Sequence, residues 1–235
     1  MTLAVVSDLH LGSGDALDRF GHDEARFLRF LDHLETHHER IVLLGDIFET
    51  LDGTTPDSSE ERLRQAVAAH RAVVRRMLDP RYVWILGNHD AVTGPMLGAR
   101  SEWLLDKDGV RLYFTHGHLG DPTYAKARVL AETAVWLGGW LRRLGWQALF
   151  RFFERLDVSL SGVQPEPEAC PFRRWAVEEA RRRSADVVVT GHSHEGGRSL
   201  HGSRWFLNSG TCSEGQTSFL SIDTRALRFD YVPAW

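Results

Sequence analysis

The chain has 235 residues, 43% hydrophobic and 26% charged, with 28 basic and 32 acidic side chains and a formal net charge of −4. That balance belongs to a folded globular protein of one large or two small domains, and it excludes disordered, collagen-like and fibrous chains. A mildly acidic chain also lacks the basic footprint that non-specific nucleic-acid binding needs. Cys170 and Cys212 form no CxxC pair, which suits a reducing compartment. The opening MTLAVVSDLH has no basic n-region and too short an apolar run for a signal peptide. The longest unbroken apolar run, about 134–141, falls far short of the roughly 20 residues of a spanning helix. A cytoplasmic protein is expected. Twelve histidines and eight tryptophans stand out.

Apolar, β-branched runs at 3–6, 41–44, 82–86, 112–114 and 187–189 predict buried strands. After the first, Phe27, Leu28, Leu31 and Leu34 fall near one face of a helix over 26–35. Ser58 and Glu61 form a capping box. The single helix they open carries Leu63, Ala66, Val67, Val73, Val74, Met77 and Leu78, and Asp79-Pro80 stops it. Pro171 suits the first position of a helix running to about residue 183. Runs at 204–207, 218–222 and 227–232 predict antiparallel strands with short turns. Strands alternating with helices make this an α/β chain. His33, His37 and His70 lie in or beside helices and are expected to face solvent.

The ends of the predicted strands carry the chemistry. In order they read Ser7-Asp8-Leu9-His10, Gly45-Asp46-Ile47-Phe48-Glu49, Gly87-Asn88-His89-Asp90, Thr115-His116-Gly117-His118 and Gly191-His192-Ser193-His194. Open α/β sheets bind ligands beyond the carboxyl ends of their strands. Singly, each motif reads equally as a helix cap, a turn or an exposed loop histidine. Together they deliver Asp, Asn and His to one region. Carboxylates, an amide and imidazoles without thiolate suit Mn²⁺, Fe or Zn²⁺. Seven such ligands exceed the need of one ion but suit two ions sharing a carboxylate, a pair that can clamp a phosphoryl group and activate water.

These five blocks, spanning 8–194, resemble the signature of the calcineurin-like metallophosphoesterases. The resemblance implies a four-layer αββα sandwich, with the C-terminal antiparallel strands in the second sheet. It implies that Asp8, His10 and His194 hold one metal, that Asn88, His116 and His192 hold the other, and that Asp46 bridges them. A metal-bridging hydroxide would attack phosphorus in line with the leaving oxygen. His89 would contact the phosphoryl group or protonate the leaving group, with Asp90 orienting it. Glu49 and His118 would support ligand or loop geometry, or else make structural hydrogen bonds. The expected cofactor is two divalent ions, Mn²⁺ first, with Fe or Zn²⁺ as alternatives. His22, His33, His37, His38, His70 and His201 fall outside the blocks and receive no role.

A helical, basic insertion rich in Trp and Phe is expected at about 121–170 of a single domain covering 1–235. It includes Trp136, Trp140, Arg142 and Arg143. Such a segment either packs on its own protein or forms an interfacial lid whose arginines meet phosphate beside an acyl chain. Its position resembles the helical cap of the UDP-2,3-diacylglucosamine pyrophosphatases, which cleave a UDP-linked diacyl sugar at the membrane surface. That resemblance implies a phosphorylated, lipid-linked small-molecule substrate and a peripheral position at the inner membrane face. Two positions depart from that branch, which has Arg in place of His89 and commonly Asp in place of His118. Both changes move toward the general metallophosphoesterase pattern. The alternatives are therefore a broader phosphodiesterase or phosphatase acting on small nucleotides or phosphoproteins, and a non-catalytic scaffold on this fold.

Overall fold

The computed structural model describes residues 1–15, 18–51, 59–121 and 170–235. Its strands form two five-stranded sheets. The first holds β1 (Thr2–Val6), β2 (Arg40–Leu44), β3 (Tyr82–Ile85), β9 (Phe219–Asp223) and β10 (Arg228–Val232), in the order β10-β9-β1-β2-β3. The second holds β4 (Trp103–Lys107), β5 (Val110–Phe114), β6 (Val187–Thr190), β7 (Gly197–His201) and β8 (Arg204–Asn208), in the order β4-β5-β6-β8-β7. β1, β2 and β3 run parallel, as do β5, β6 and β8.

Alternation along β1 shows why its run is continuously apolar. Leu3 and Val5 join Val42, Leu44, Leu112, Phe114, Val187 and Val189 in the core between the sheets. Ala4 and Val6 face the other way, onto Phe27, Phe30, Leu31, Leu34, Val73 and Met77. Those residues come from α1 (Glu24–His37) and α3 (Arg71–Met77). Outside the second sheet, Phe172, Ala176 and Ala180 of α5 (Pro171–Arg182) pack on Tyr113, Val188 and Phe206. Helix, sheet, sheet and helix give the expected four layers, and strands buried on both faces need apolar residues at every position.

Several features differ from expectation. β9 pairs with β1, and β10 with β9, in the first sheet rather than the second, because β2 takes one edge of β1 and leaves the other open. β8 runs parallel to β6, and its antiparallel partner is β7. β4 and β7 are edge strands with mixed, half-exposed patterns that carry no strong apolar alternation. The helix expected through residue 78 is two, α2 (Ser59–Ala69) and α3, parted at His70 with φ −111° and ψ 39°. A short α4 (Thr93–Leu97) follows β3. Ser58 of the expected capping box and the 122–169 portion of the expected insertion, with Trp136, Trp140, Arg142 and Arg143, lie outside the described residues.

The break at His70 has a local cause. His70 turns inward rather than to solvent, and its Nε2–H donates to Asp18 Oδ2 at 2.7 Å. Asp18 also accepts the backbone N–H of Gly12, Gly14 and Phe20 at 3.1, 2.8 and 2.9 Å, which fixes the loop between β1 and α1. Burial pushes the Asp18 carboxyl up, but the hydrogen bonds from His70 and Phe20 outweigh it and hold it below the ordinary range. A depressed carboxyl contributes stability in full above its unfolded pKa of about 4 and loses it as pH falls through the folded value. Asp18→Asn is therefore expected to destabilise the fold by about 1.5–3 kcal/mol at pH 7, the range for hydrogen bonds to a charged group. In urea unfolding the gap between variant and native protein narrows as pH falls below about 4. A gap that stays constant between pH 7 and pH 3 contradicts this role for Asp18.

Candidate metal centre

The five motif loops meet beyond the carboxyl ends of β1, β2, β3, β5 and β6. Backbone pairing carries β1 and β2 into their loops, through Asp8 N–H to Gly45 O at 3.1 Å and His10 N–H to Asp46 O at 3.0 Å. Among the described residues there are three groups of possible ligand atoms, the atoms within each group lying within 4.8 Å of one another. They are Asp8, His10 and His194; Asp46, His116 and His192; and His10, Glu49 and His89. The first brings together three residues expected on one ion, and the second brings the expected shared Asp46 beside His116 and His192.

The backbone there is strained. Asp8, His10, Asp46, His192 and His194 have φ of 54°, 49°, 52°, 67° and 58°. Left-handed backbone at a non-glycine residue costs about 1–3 kcal/mol and persists where surrounding structure enforces it, chiefly at functional sites. Five of the seven expected ligands carry that strain. Gly87 shows how tightly the loops pack, since a Cβ there would stand 1.9 Å from Asp46 Oδ1.

Each side chain is aimed by a neighbour. Ser7 Oγ–H donates to Asp8 Oδ2, which also accepts His192 N–H at 3.2 Å. His89 N–H donates to Asp46 Oδ1 at 2.9 Å. His116 Nδ1–H donates to the Leu44 carbonyl at 2.8 Å, which leaves Nε2 as the lone-pair nitrogen. His10 Nδ1–H donates to Glu49 Oε2 at 3.2 Å and likewise frees its Nε2. Among the buried polar atoms without a hydrogen-bond partner are Asp8 Oδ1, His10 Nε2, Asn88 Oδ1 and His116 Nε2. Asp8 Oδ1 lies 3.2 Å from His194 Nε2, and His116 Nε2 lies 3.2 Å from Asp46 Oδ2, both outside hydrogen-bond geometry. Buried polar atoms are rarely left unpaired, and these four belong to four expected ligands.

Charge gives a second test of fit. Asp8, Asp46, Glu49 and Asp90 are all buried, at 0–3% exposure. Burial pushes Asp8 up, but His194 and His116 outweigh it and hold the carboxyl at about 2. Burial opposes charge on Asp46 as well, yet His116, His89 and His10 hold it well below the ordinary range. Burial lowers His116, but Asp46 and Asp8 raise it to about 9. The carboxylates thus call for positive charge where His116 Nε2 and Asp8 Oδ1 point, and divalent cations answer the same demand while displacing that proton. The donor set, its unpaired atoms and its charge fit hard-to-borderline divalent ions.

Glu49, rather than Asp90, orients His89. Glu49 Oε2 accepts His89 Nδ1–H at 2.8 Å. The Asp90 carboxylate instead accepts the N–H of Ile47 and Gly87, each at 2.8 Å, and so ties the β2 and β3 loops together. Burial and the nearby Asp46 raise the Asp90 carboxyl to about 6. Burial lowers His89, but Glu49 and Asp46 outweigh it and raise the ring to about 10. His118 lies beside the second group, its ring 5.6 Å from that of His116.

Two contributors are absent from the sequence-level expectation. Asn208 Nδ2 donates to Gly191 O at 2.8 Å and Ser193 Oγ at 3.2 Å, pinning the His192–His194 loop from β8. Asp121 Oδ2 accepts His192 Nε2–H at 3.0 Å. Both contacts join residues remote from the motif they support, and only the position of Asn208 at a strand end hints at either.

The chain has relatives among known proteins. The chain is similar to a UDP-2,3-diacylglucosamine hydrolase of Serratia proteamaculans (strain 568), 26% identical over 206 residues, 83% of this chain and 82% of that protein. It is also similar to a UDP-2,3-diacylglucosamine hydrolase of Pectobacterium carotovorum subsp. carotovorum (strain PC1), 29% identical over 124 residues. That match covers 50% of this chain and 48% of the relative, so it spans about half the length of that protein. Among solved structures, wild-type Vps29 from Entamoeba histolytica complexed with Zn²⁺ has a TM-score of 0.49 at 16% identity, covering 95% of this chain and 86% of that chain. The calcineurin-like phosphoesterase family model matches residues 1–196, from β1 through the His192–His194 loop. With all five motif loops inside that match, the chain belongs to the calcineurin-like phosphoesterase family.

Proposed function

We propose that this phosphoester hydrolase works with two divalent ions, one on Asp8, His10 and His194, the other on Asn88, His116 and His192, with Asp46 shared. The observation that carries this is the set of unpaired atoms, Asp8 Oδ1, His10 Nε2, Asn88 Oδ1 and His116 Nε2, on loops whose backbone is strained at Asp8, His10, Asp46, His192 and His194. Mn²⁺ is the first candidate, with Fe or Zn²⁺ next. When bound, such ions supply Lewis acidity toward phosphoryl oxygens and activate water near neutral pH.

His89 is the group that serves the leaving oxygen. Glu49 holds its Nδ1–H at 2.8 Å, so its other nitrogen is the one available to substrate. Water adds to phosphorus and gives up a proton to solvent, the bond to the leaving oxygen breaks, and His89 donates the proton that oxygen takes up and regains one from solvent. Asp90 acts through the backbone of the two loops it joins.

The substrate class we propose is a UDP-linked acylated sugar, cleaved at its phosphoanhydride to UMP and an acyl-sugar phosphate. Support comes from the similarity to two UDP-2,3-diacylglucosamine hydrolases and from the Trp-, Phe- and Arg-rich sequence between the fourth and fifth motifs. The proposed setting is the cytoplasmic face of the inner membrane, reached peripherally. Among the described residues no helix is long and apolar enough to cross a membrane. His89 and the His116-Gly117-His118 run favour a second reading, a broader phosphodiesterase on small nucleotides. A scaffold role is disfavoured, because all seven ligand positions keep a ligating side chain.

Asp46→Ala is expected to reduce the metal content after dialysis below two ions per chain. Full two-ion content in that variant contradicts the shared carboxylate. His89→Ala is expected to lower kcat by about 10²–10⁴, the range for a lost general acid, with metal content unchanged. Metal loss in that variant would make His89 a ligand instead. Kinetics on a UDP-diacyl sugar and on bis-p-nitrophenyl phosphate separate the two substrate readings. The proposal expects the higher kcat/KM on the sugar nucleotide, and a preference for the diester supports the broader enzyme.

A further inference from the structure

Three of the proposed metal histidines are braced through a ring nitrogen. His10 donates to Glu49 and His116 to the Leu44 carbonyl, both within the motif loops or the strands that lead into them. His192 is braced from outside them, by Asp121 at 3.0 Å. We propose that Asp121 is the positioning residue that fixes His192 as a ligand and sets the affinity of the ion on Asn88, His116 and His192. The inference rests on the two-ion reading above.

The geometry is specific. His192 sits at φ 67°, a backbone conformation that the surrounding loop must hold. With Nε2–H donated to Asp121, the tautomer is set and Nδ1 carries the lone pair. A carboxylate behind a ligating imidazole fixes its orientation and raises its basicity, and losing such a partner typically weakens metal binding 10–100-fold. Asp121 is itself held in place. It ends a 3₁₀ turn (His118–Gly120) closed by Gly120 N–H to Gly117 O at 2.8 Å and Asp121 N–H to His118 O at 3.2 Å. Trp175 of α5 lies so close on that turn that a Cβ at Gly120 would stand 2.0 Å from its ring. Phe172 stacks beside Trp175 with ring centroids 6.0 Å apart, and its ring lies 6.2 Å from that of His192. The base of α5 thus anchors the turn whose last residue aims His192.

The test is equilibrium dialysis of the full chain against graded Mn²⁺, with metal analysis and electron paramagnetic resonance of each sample. Native protein should take up two ions and show an exchange-coupled Mn²⁺ pair. Asp121→Ala should bind the second ion roughly 10–100-fold more weakly. At intermediate Mn²⁺ it should show a mononuclear spectrum, with the first ion unaffected. Asp121→Asn keeps an acceptor oxygen but not the charge, so its second-ion affinity should fall between Asp121→Ala and native protein. It also provides the comparison if the alanine variant does not fold. Native protein that binds fewer than two ions overturns the two-ion reading itself. Two ions in native protein, with unchanged second-ion affinity in the folded Asp121 variants, overturns the role of Asp121 alone.

Discussion

Four carboxylates, those of Asp8, Asp46, Glu49 and Asp90, are buried where two β-sheets present their carboxyl ends, and the rest of the site answers to them. An uncompensated buried carboxylate is costly, so each must find charge or hydrogen bonds. Asp90 finds backbone N–H groups from two loops. Glu49 finds two imidazoles. Asp8 and Asp46 are each only partly satisfied, by Ser7 and His192 N–H and by His89 N–H, and the remaining demand for positive charge is directed into the cleft. That demand, set against unpaired nitrogen and oxygen atoms on four neighbouring residues, is what makes the cleft a cation site rather than a cluster of loops.

The fold contributes rigidity. Strands buried on both faces end together, and the loops beyond them hold left-handed backbone at Asp8, His10, Asp46, His192 and His194. Loops under that strain relax unless the strands, Asp90 and Asn208 hold them. The arrangement resembles a clamp set before its ligand arrives, and preorganisation of this kind is how a site stabilises developing charge without reorganising during reaction.

Much of this was legible in the sequence. The candidate ligand types sit next to the strands that carry them, so Asp8, His10, Asp46, Asn88, His116, His192 and His194 could be picked out locally as candidates. The runs of β1, β2, β3, β5 and β6 were legible for the same reason, since strands buried on both faces are apolar throughout. What escaped depends on contacts between distant residues. Asp121 and Asn208 brace the His192–His194 loop from 71 and 15 or more residues away. Glu49 rather than Asp90 reaches His89, because loop shape, not adjacency, decides which carboxylate is near. The inward turn of His70 onto Asp18 divides a helix whose apolar periodicity runs unbroken. Placement of β9 and β10 beside β1 is likewise a matter of which sheet edge stays open.

Anomalous diffraction from a crystal grown with Mn²⁺ tests the central claim most directly. Two peaks are expected roughly 3.5–4 Å apart, the separation of two-metal phosphohydrolase sites. One should sit against Asp8, His10 and His194, the other against Asn88, His116 and His192, with Asp46 between them. A single peak at full Mn²⁺ loading, or two peaks away from these side chains, would contradict the account.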